Sequence, residues 1–278
     1  MSTSTAGGFV PPPYPYDRLA DIVAVAAAHD GGAVDLSIGT PGDPPAPAVL
    51  DALASSGTER GYPPSIGTEA LRAAVAEWFD RRFGVGVDPS DVGAAIGTKE
   101  LVAGLPHWLR LRDPSRDTVL YPEVSYPSYA MGATLAGCRA VPVPMDDRWR
   151  LDLSRVDPAD AARALCLWAN TPGNPAGGLD DLAAVAEWGR RHGVPVFSDE
   201  CYVEFTWSGP PARPGQAPGA TVLSSGTEGV VAVHSLSKRS NLAGLRVGFY
   251  AGDPELVHYL QEVRKHARSE ERRVGKEC

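Results

Sequence analysis

Short apolar segments alternate with segments of helical spacing through the middle of the chain, and this alternation constrains the fold more than any other feature. The predicted strands and the helices between them are listed by residue number: strands at 118–124, 139–143, 163–169, 194–198 and 230–233, and helices after Pro127 and at 180–192. This spacing predicts an α/β fold, in which a largely parallel sheet carries helices on both faces. Ligands of such sheets bind beyond the carboxyl ends of the strands.

The rest of the chain adds an arm, one short strand and further helices. Residues 1–16 are polar and then proline-rich, which is typical of an arm. Residues 35–38 form a predicted strand before a glycine- and proline-rich loop, and Thr68 is the predicted N-cap of an amphipathic helix. Other predicted helices cover residues 17–28, 47–54, 100–111 and 254–266.

Length, charge and cysteine usage limit the class of protein. A chain of 278 residues can bury a sizeable core and hold one large or two smaller domains. Its net charge of −8 argues against nucleic acid or an anionic membrane as a general partner. The four cysteines lack zinc-ligand spacing, and the N-terminal residues lack the basic and apolar regions of a signal peptide. We therefore expect a reduced, cytoplasmic protein that binds no metal ion.

The stretch HSLSKRSNLAGLRVG, residues 234–248, contains the lysine with the most unusual setting. Of the four lysines, only Lys238 follows an apolar strand. A lysine there tends to lose its proton, and a deprotonated amine can bond to a carbonyl cofactor. Ser235, Ser237 and Arg246 suit a phosphate dianion. A lysine beside a phosphate site is what pyridoxal 5′-phosphate (PLP) requires, whereas S-x-S-K taken alone also fits a surface loop.

The order S-x-S-K and then G-x-R-x-G resembles the lysine signature of class I and II aminotransferases, which are PLP enzymes of fold type I. Four segments are most similar to the actinobacterial N-succinyldiaminopimelate aminotransferases of that family: GTKEL (97–101), SDECY (198–202), HSLSK (234–238) and GDPELV (252–257). The resemblance runs from about Tyr14 to Ala267. It implies the fold-type I PLP-transferase fold, a mainly parallel sheet sandwiched by helices, with a small domain that is incomplete here.

The resemblance implies that Lys238 binds PLP covalently and then acts as the general base and acid. It also implies that the ring of Tyr126 stacks on the cofactor ring, while Tyr129 is the better candidate for a core tyrosine. The phosphate is anchored by residues of one helix start and one strand end: Gly97, Thr98, Lys99, Ser235, Ser237 and Arg246.

The other end of the cofactor is assigned to two later motifs by the same resemblance. Asp199 pairs with the protonated pyridine nitrogen, and Tyr202 hydrogen-bonds the 3′ oxygen. Asn174 donates to that oxygen and faces the substrate, in a turn where Ala176 replaces the family's usual threonine. No role is assigned to Glu200.

Two further residues are assigned to the substrate and to a second subunit. The resemblance places Gly39 against the substrate carboxylate, where a side chain would obstruct it, although a plain turn glycine is the alternative. Tyr62 corresponds to the family tyrosine that reaches the phosphate of the neighbouring subunit's cofactor. The implied partners are amino acid and keto acid substrates and a second copy of the chain in a homodimer.

The resemblance also implies a domain plan and an interrupted C-terminus. We expect an arm and part of a small domain over residues 1–34, a large PLP-binding domain over 35–267, and a tail unlike the family over 268–278. The family's arginine for the substrate α-carboxylate has no counterpart in the chain, so we expect weak PLP binding and negligible turnover. Extension with a family-like C-terminal segment should restore both.

The predicted function is transfer of an amino group between glutamate and a keto acid, N-succinyl-2-amino-6-oxopimelate, in lysine and diaminopimelate biosynthesis. Four alternatives are considered at this stage. The cofactor motifs equally fit another class I aminotransferase or a carbon–sulfur lyase of the same fold. A PLP-sensing regulator requires a DNA-binding domain before the position of Gly39. The chain could also be an inactive fragment.

Overall fold

The computed structural model describes residues 8–57, 61–209 and 217–267. These residues divide into two compact units, with the boundary between Pro41 and Gly42. The predicted tail, 268–278, and the first seven residues of the predicted arm lie outside the described part of the chain. Within the described ranges, no helix is long and apolar enough to cross a membrane.

The first unit is mainly irregular apart from one helical region. A single 3-10 turn, Pro15–Leu19, leads into helix α1, Ala20–Ala27. The predicted helix at 17–28 is therefore confirmed, with a tighter first turn than expected.

The predicted strand at 35–38 is wrong. The carboxylate of Asp35 accepts hydrogen bonds from the N–H of Ser37 at 2.8 Å and from its hydroxyl at 2.6 Å. The N–H of Thr40 bonds to the carbonyl of Ile38 at 2.8 Å. These local bonds offer the backbone an alternative to pairing with a neighbouring strand, which is how aspartate and serine favour turns.

The second unit is built on one seven-stranded sheet. Its strands, in chain order, are β1 (Val92–Ile96), β2 (Thr118–Pro122), β3 (Arg139–Val143), β4 (Ala164–Asn170), β5 (Val196–Asp199), β6 (Val230–Ser235) and β7 (Val247–Gly252). Across the sheet the order is β1-β7-β6-β5-β4-β2-β3. Neighbours from β6 to β3 run parallel, and β7 is antiparallel to both β6 and β1. The predicted α/β fold with a largely parallel sheet is confirmed.

The antiparallel strand β7 was not predicted. Only residues 236–246 separate it from β6, which is too short a connection for the crossover that a parallel neighbour needs. The chain therefore returns beside β6 in the opposite direction.

Helices accompany the strands of the second unit. They are α2 (Pro47–Ala54), α3 (Glu69–Phe83), α4 (Thr98–Arg112), α5 (Ser128–Leu135), α6 (Pro158–Ala162), α7 (Leu182–His192), α8 (Leu236–Arg239) and α9 (Pro254–Ala267). The predicted N-cap of α3 is confirmed, because the Thr68 hydroxyl accepts a hydrogen bond from the N–H of Leu71 at 3.2 Å. Strand β5 begins two residues later than predicted, since the N–H of Val194 closes α7 by bonding to the Gly189 carbonyl.

Two apolar clusters cover the two faces of the sheet. Adjacent residues of β4 fall into different clusters: Leu167 packs with α3 and α7, and Trp168 packs with α4, α5 and α9. All residues of β4 and of β6 are buried. A strand buried on both faces needs apolar residues at consecutive positions, which explains why these strands read as continuous apolar runs.

Candidate active site

Polar residues end the three central parallel strands, and they lie side by side. Asn170 at the end of β4 pairs in register with Asp199 at the end of β5. Asp199 in turn pairs with Val233 of β6, two residues before Ser235. The carboxyl ends of parallel strands share one edge of the sheet, so the motifs that follow these strands meet there.

Lys238 lies in a short helix that Ser235 begins. The Ser235 hydroxyl accepts a hydrogen bond from the N–H of Ser237 at 3.0 Å, and it donates to the Ser237 hydroxyl at 2.8 Å. The pKa of the half-buried Lys238 is lowered, mainly by burial. Cys201 raises this pKa and the positive charge of Arg246 lowers it further. A lowered pKa leaves more of this amine in the neutral, nucleophilic form.

Arg246 reaches across to both the serine pair and the start of α4. Its guanidinium donates to the Ser237 hydroxyl at 3.3 Å and to the Ala243 carbonyl at 2.7 Å. On the other side it lies against Gly97, where a Cβ would come within 2.0 Å of Nη2. Gly97 also has a φ of 63°, a conformation that favours glycine. Gly97 is therefore required both for the backbone turn and for the space that the guanidinium fills.

The first turn of α4 presents backbone N–H groups at the same place. Gly97 is the N-cap residue of α4, and as a glycine it supplies no side-chain cap. The backbone N–H groups of the first turn therefore donate no hydrogen bond to an N-cap side chain. The positive end of the helix dipole faces the same region. Together with two hydroxyls and a guanidinium, these groups form an anion site suited to a phosphate dianion.

Asp199 forms the second, more deeply buried part of the site. Its side chain accepts hydrogen bonds from the Tyr129 hydroxyl at 2.8 Å and from the N–H of Cys201 at 3.2 Å. The thiol of Cys201 lies 3.5 Å from the Thr98 hydroxyl, which connects this part to the start of α4. A buried carboxylate needs such partners because burial otherwise disfavours its charge.

Asn174 and Tyr202 meet beside Asp199. The Asn174 side-chain nitrogen lies 3.4 Å from the Tyr202 hydroxyl. Asn170 fixes the turn: its side-chain oxygen accepts from the N–H of Asn174 at 2.8 Å, and its side-chain nitrogen donates to the Asp199 carbonyl at 3.0 Å. This arrangement brings two polar side chains together in a turn that Asn170 joins to the backbone of Asp199.

Tyr126 completes the site with an aromatic ring. The ammonium of Lys99 lies 5.9 Å from the centre of that ring. The rings of Tyr126 and Tyr129 contact edge to face, with centroids 6.5 Å apart. The Tyr126 ring is therefore held by packing against Tyr129, whose hydroxyl bonds to Asp199.

Two predicted site residues are not brought into this cluster. Gly39 belongs to the first unit, so its approach to a substrate carboxylate stays a prediction. Tyr62 belongs to the second unit, and 67% of its surface is exposed. Its role toward a second subunit's cofactor also stays a prediction.

The sequence reasoning missed two residues that organise the site. Tyr129 was expected in the core and is fully buried there, but its bond to Asp199 was not foreseen. Asn170 was left just beyond the predicted strand at 163–169 and was given no role. The sequence does contain a pattern that could have identified Asn170. A polar residue directly after a wholly apolar strand needs hydrogen-bond partners when it is buried.

The chain is similar to known aminotransferases over most of its length. Residues 32–273 match the family described as aminotransferase class I and II. It is 42% identical over 259 residues to the 4-dedimethylamino-4-oxo-anhydrotetracycline transaminase OxyQ of Streptomyces rimosus, covering 92% of this chain and 68% of that protein. It is 44% identical over 261 residues to the probable aminotransferase Rv1178 of Mycobacterium tuberculosis, covering 92% of this chain and 59% of that protein.

The fold is also similar to solved structures. The structure of the probable N-succinyldiaminopimelate aminotransferase from Thermus thermophilus matches with a TM-score of 0.78 and 33% identity, over 93% of this chain and 70% of that one. The matched part of the chain spans about two thirds of the Streptomyces and Thermus proteins and 59% of the Mycobacterium protein. With the family match covering most of the sequence and the same fold, the chain belongs to the class I and II aminotransferase family.

Proposed function

We propose that this protein holds pyridoxal 5′-phosphate and transfers an amino group between an amino acid and a keto acid. The observation that carries the proposal is the position of Lys238 between an anion site and a buried carboxylate. The charge of Arg246, which bonds to Ser237, acts on the half-buried Lys238 amine and lowers its pKa further. Cys201, whose N–H donates to Asp199, acts on the same amine in the opposite direction.

The residues at the anion site fit the phosphate group of this cofactor. Arg246 provides a guanidinium, the serine pair provides hydroxyls, and the first turn of α4 provides N–H donors. The missing side chain at Gly97 keeps the guanidinium and the helix start close enough to contact one anion. Charged and neutral donors from two elements would then share the phosphate oxygens.

The residues at the other end fit the cofactor ring. When bound, PLP supplies a pyridinium ring that stabilises negative charge at the substrate's α-carbon. Asp199 would hold the ring nitrogen, Asn174 and Tyr202 would hold the 3′ oxygen, and Tyr126 would lie along one ring face. A buried carboxylate is suited to a cationic partner because the low-polarity surroundings strengthen their attraction.

Lys238 would bind the cofactor covalently and move the substrate's proton. Its pKa is lowered, first by burial, which increases the share of neutral amine able to accept a proton and return it. Held in α8 by the Ser235 cap, the amine would keep a fixed distance from the reacting carbon atoms. Fixed placement is one requirement of general acid–base catalysis.

We infer N-succinyl-2-amino-6-oxopimelate as the keto substrate and glutamate as the amino donor. The inference rests on the likeness of four motifs to N-succinyldiaminopimelate aminotransferases and on the similar Thermus structure that carries this name. A second candidate is a polycyclic ketone, because the relative OxyQ is named for an anhydrotetracycline and shares 42% identity. A carbon–sulfur lyase activity remains the alternative chemistry on the same cofactor residues.

We also infer that two copies of the chain form each site. Tyr62 is mostly exposed on its own chain and matches the family tyrosine that reaches a neighbouring subunit's cofactor. The Tyr62→Phe variant should form the same oligomer as the wild-type chain but bind PLP less tightly. Mixing this variant with a Lys238→Ala chain tests the exchange directly, since hybrid dimers would contain one site with both residues intact.

A single-turnover assay tests the proposed function. For this assay and the rate measurements below, the chain is extended with a family-like C-terminal segment, because the chain alone is expected to turn over negligibly. The PLP-loaded protein is mixed with N-succinyl-L,L-diaminopimelate, and separately with glutamate, aspartate and phenylalanine, while the cofactor absorbance is followed. We expect the succinylated compound and glutamate to convert PLP to its amino form, with release of the matching keto acids. A faster reaction with aspartate or phenylalanine would contradict the substrate inference. In a parallel assay with cysteine, joint release of sulfide, ammonia and pyruvate, without formation of the amino form of the cofactor, would favour the lyase.

A further inference from the structure

Tyr129 carries a polar group into an apolar cluster, and that group has one partner. The residue lies on α5 with no exposed surface, and its ring packs against Trp168 with centroids 5.1 Å apart. Phenylalanine would fill the same space without a hydroxyl that must be satisfied. A buried tyrosine hydroxyl normally finds a hydrogen-bond partner, and here the partner is Asp199, at 2.8 Å.

The direction of this hydrogen bond is settled by the protonation of the two groups. Burial, followed by the nearby Asp199 charge, raises the pKa of Tyr129 well above its ordinary value. The phenol therefore keeps its proton and donates it toward the carboxylate oxygen Oδ2. The second oxygen, Oδ1, accepts from the N–H of Cys201 at 3.2 Å. Asp199 thus receives the Tyr129 hydroxyl and the Cys201 N–H, and the Cys201 thiol also bonds to its side chain.

Hydrogen-bond donors to a carboxylate affect whether a proton that it shares with a base lies on the carboxylate or on the base. A hydrogen bond to the charged form lowers the proton affinity of the carboxylate, whereas burial raises it. If Asp199 faces a ring nitrogen, one proton lies between the two groups. A weakly basic carboxylate leaves that proton on the nitrogen, and a strongly basic one takes it.

We propose that Tyr129 is a positioning residue that, through its hydrogen bond to Asp199, keeps the shared proton on the ring nitrogen of the cofactor. The proposal rests on the proposed function, because it requires PLP at the site. Tyr129 also packs against Tyr126 edge to face, so the same residue supports the aromatic ring assigned to the cofactor's face. Removal of the hydroxyl alone separates these two contributions.

The test uses Tyr129→Phe, which keeps the ring and removes the donor. The protein is loaded with PLP labelled with ¹⁵N in the ring, and the nitrogen chemical shift is measured at about pH 7.5, where a carboxylate of ordinary basicity is charged. We expect a pyridinium shift in the wild-type protein and a displacement toward neutral pyridine in the variant. Infrared difference spectra should show a protonated carboxyl band in the variant, and that band should be absent from the Tyr129→Phe/Asp199→Asn double variant. The half-reaction should slow by about tenfold, as expected for loss of one charge-assisted hydrogen bond.

The matched control is Tyr121→Phe. Tyr121 is a half-buried tyrosine packed against the same apolar cluster, and among the described residues it is not one of the groups bonded to the Asp199 side chain. Its variant should keep the wild-type nitrogen shift. If Tyr129→Phe does not fold, Tyr129→Met fills the space with an adaptable apolar chain and carries the same expectation.

The outcomes separate this proposal from the proposed function. An unchanged nitrogen shift in the Tyr129 variants, with PLP bound, overturns the role of Tyr129 and leaves the cofactor assignment intact. A displaced shift without a protonated carboxyl band also overturns it, because the carboxylate would then have moved away rather than taken the proton. Failure of the wild-type protein to bind PLP overturns the proposed function and this inference with it.

Discussion

The two ends of the candidate site are built in different ways. The anion end is formed by neighbours in sequence, Ser235, Ser237 and Arg246, joined by Gly97 at the start of one helix. The carboxylate end depends on Tyr129, which is separated from Asp199 by 70 positions in sequence and is fully buried. The anion end therefore takes its hydroxyls and guanidinium from one short stretch and joins them to the distant start of α4, whereas the carboxylate end depends on one buried long-range side-chain contact.

The two ends also differ in the charge that they favour. Arginine, hydroxyls and helix-start N–H groups attract an anion, and a buried carboxylate attracts a cation. PLP carries a phosphate at one end and a basic ring nitrogen at the other, so the polarity of the site matches the polarity of the ligand. Arg246 of the anion end and Cys201, which bonds to Asp199, both act on the Lys238 amine and in opposite directions. Changes to the two ends should therefore affect its chemistry differently.

The largest effect is expected at the residue between the two ends. Lys238→Ala removes both the covalent attachment and the proton-transferring amine, so the half-reaction rate should fall by about 10⁴-fold or more. The rate is measured by stopped-flow absorbance with the amino substrate in excess. Lys265→Ala is the matched control, since that lysine pairs with Glu262 near the end of α9 and its loss should leave the rate unchanged. A Lys238 variant within about tenfold of wild type would contradict the account, because proton transfer by a positioned group contributes more than that.

The carboxylate end should influence the chemistry more than the binding. Asp199→Asn keeps the size of the side chain but removes the charge that would hold a protonated ring nitrogen. We expect the half-reaction to slow by about 100- to 1,000-fold, because preorganised charge at the reacting group is lost, while PLP remains bound. Asp181→Asn, at the exposed N-cap of α7, is the control. Equal losses in binding and rate would show that Asp199 acts only as an anchor.

The anion end should influence binding more than chemistry. Gly97→Ala places a Cβ within 2.0 Å of the Arg246 guanidinium and strains a φ of 63°. We expect the Kd for PLP, measured by fluorescence titration, to rise about 10- to 100-fold, with a smaller change in the rate of the loaded protein. Gly86→Ala is the matched control, because a Cβ there meets no atom within 4 Å among the described residues. Unchanged affinity in the Gly97 variant would remove the phosphate assignment.

Sequence patterns and tertiary contacts account for different parts of this molecule. The alternation of apolar runs and helices predicted the sheet, and the bounds of α2 and β3 agree with prediction because local signals end those elements. The anion end was predicted from two motifs, residues 97–99 and residues 235–246. Strand β7 was missed because its direction depends on its neighbour. The Tyr129–Asp199 bond was missed because it joins α5 to β5, and no spacing along the chain encodes that distance.

The smallest effect on the chemistry is expected from Asn170, which bonds to the backbone of both Asp199 and Asn174. Asn170→Ala leaves the Asp199 carbonyl and the Asn174 N–H without their side-chain partner. Unfolding by urea should show a loss of about 1–3 kcal/mol, which is the cost of leaving buried polar groups unpaired. Thr134→Ala removes an exposed side-chain bond within α5 and should change stability by less than about 0.5 kcal/mol. Equal stability losses in the two variants would contradict a supporting role for Asn170.

The central claim is that Lys238 is the residue to which PLP attaches, at the meeting point of the two ends. The most direct measurement is reduction of the PLP-loaded protein with borohydride, followed by proteolysis and mass spectrometry. We expect one stoichiometric phosphopyridoxyl label on the peptide that contains Lys238, and less label on the same peptide when Gly97→Ala weakens PLP binding and PLP is limiting. A label on Lys99, the lysine beside the Tyr126 ring, would contradict it.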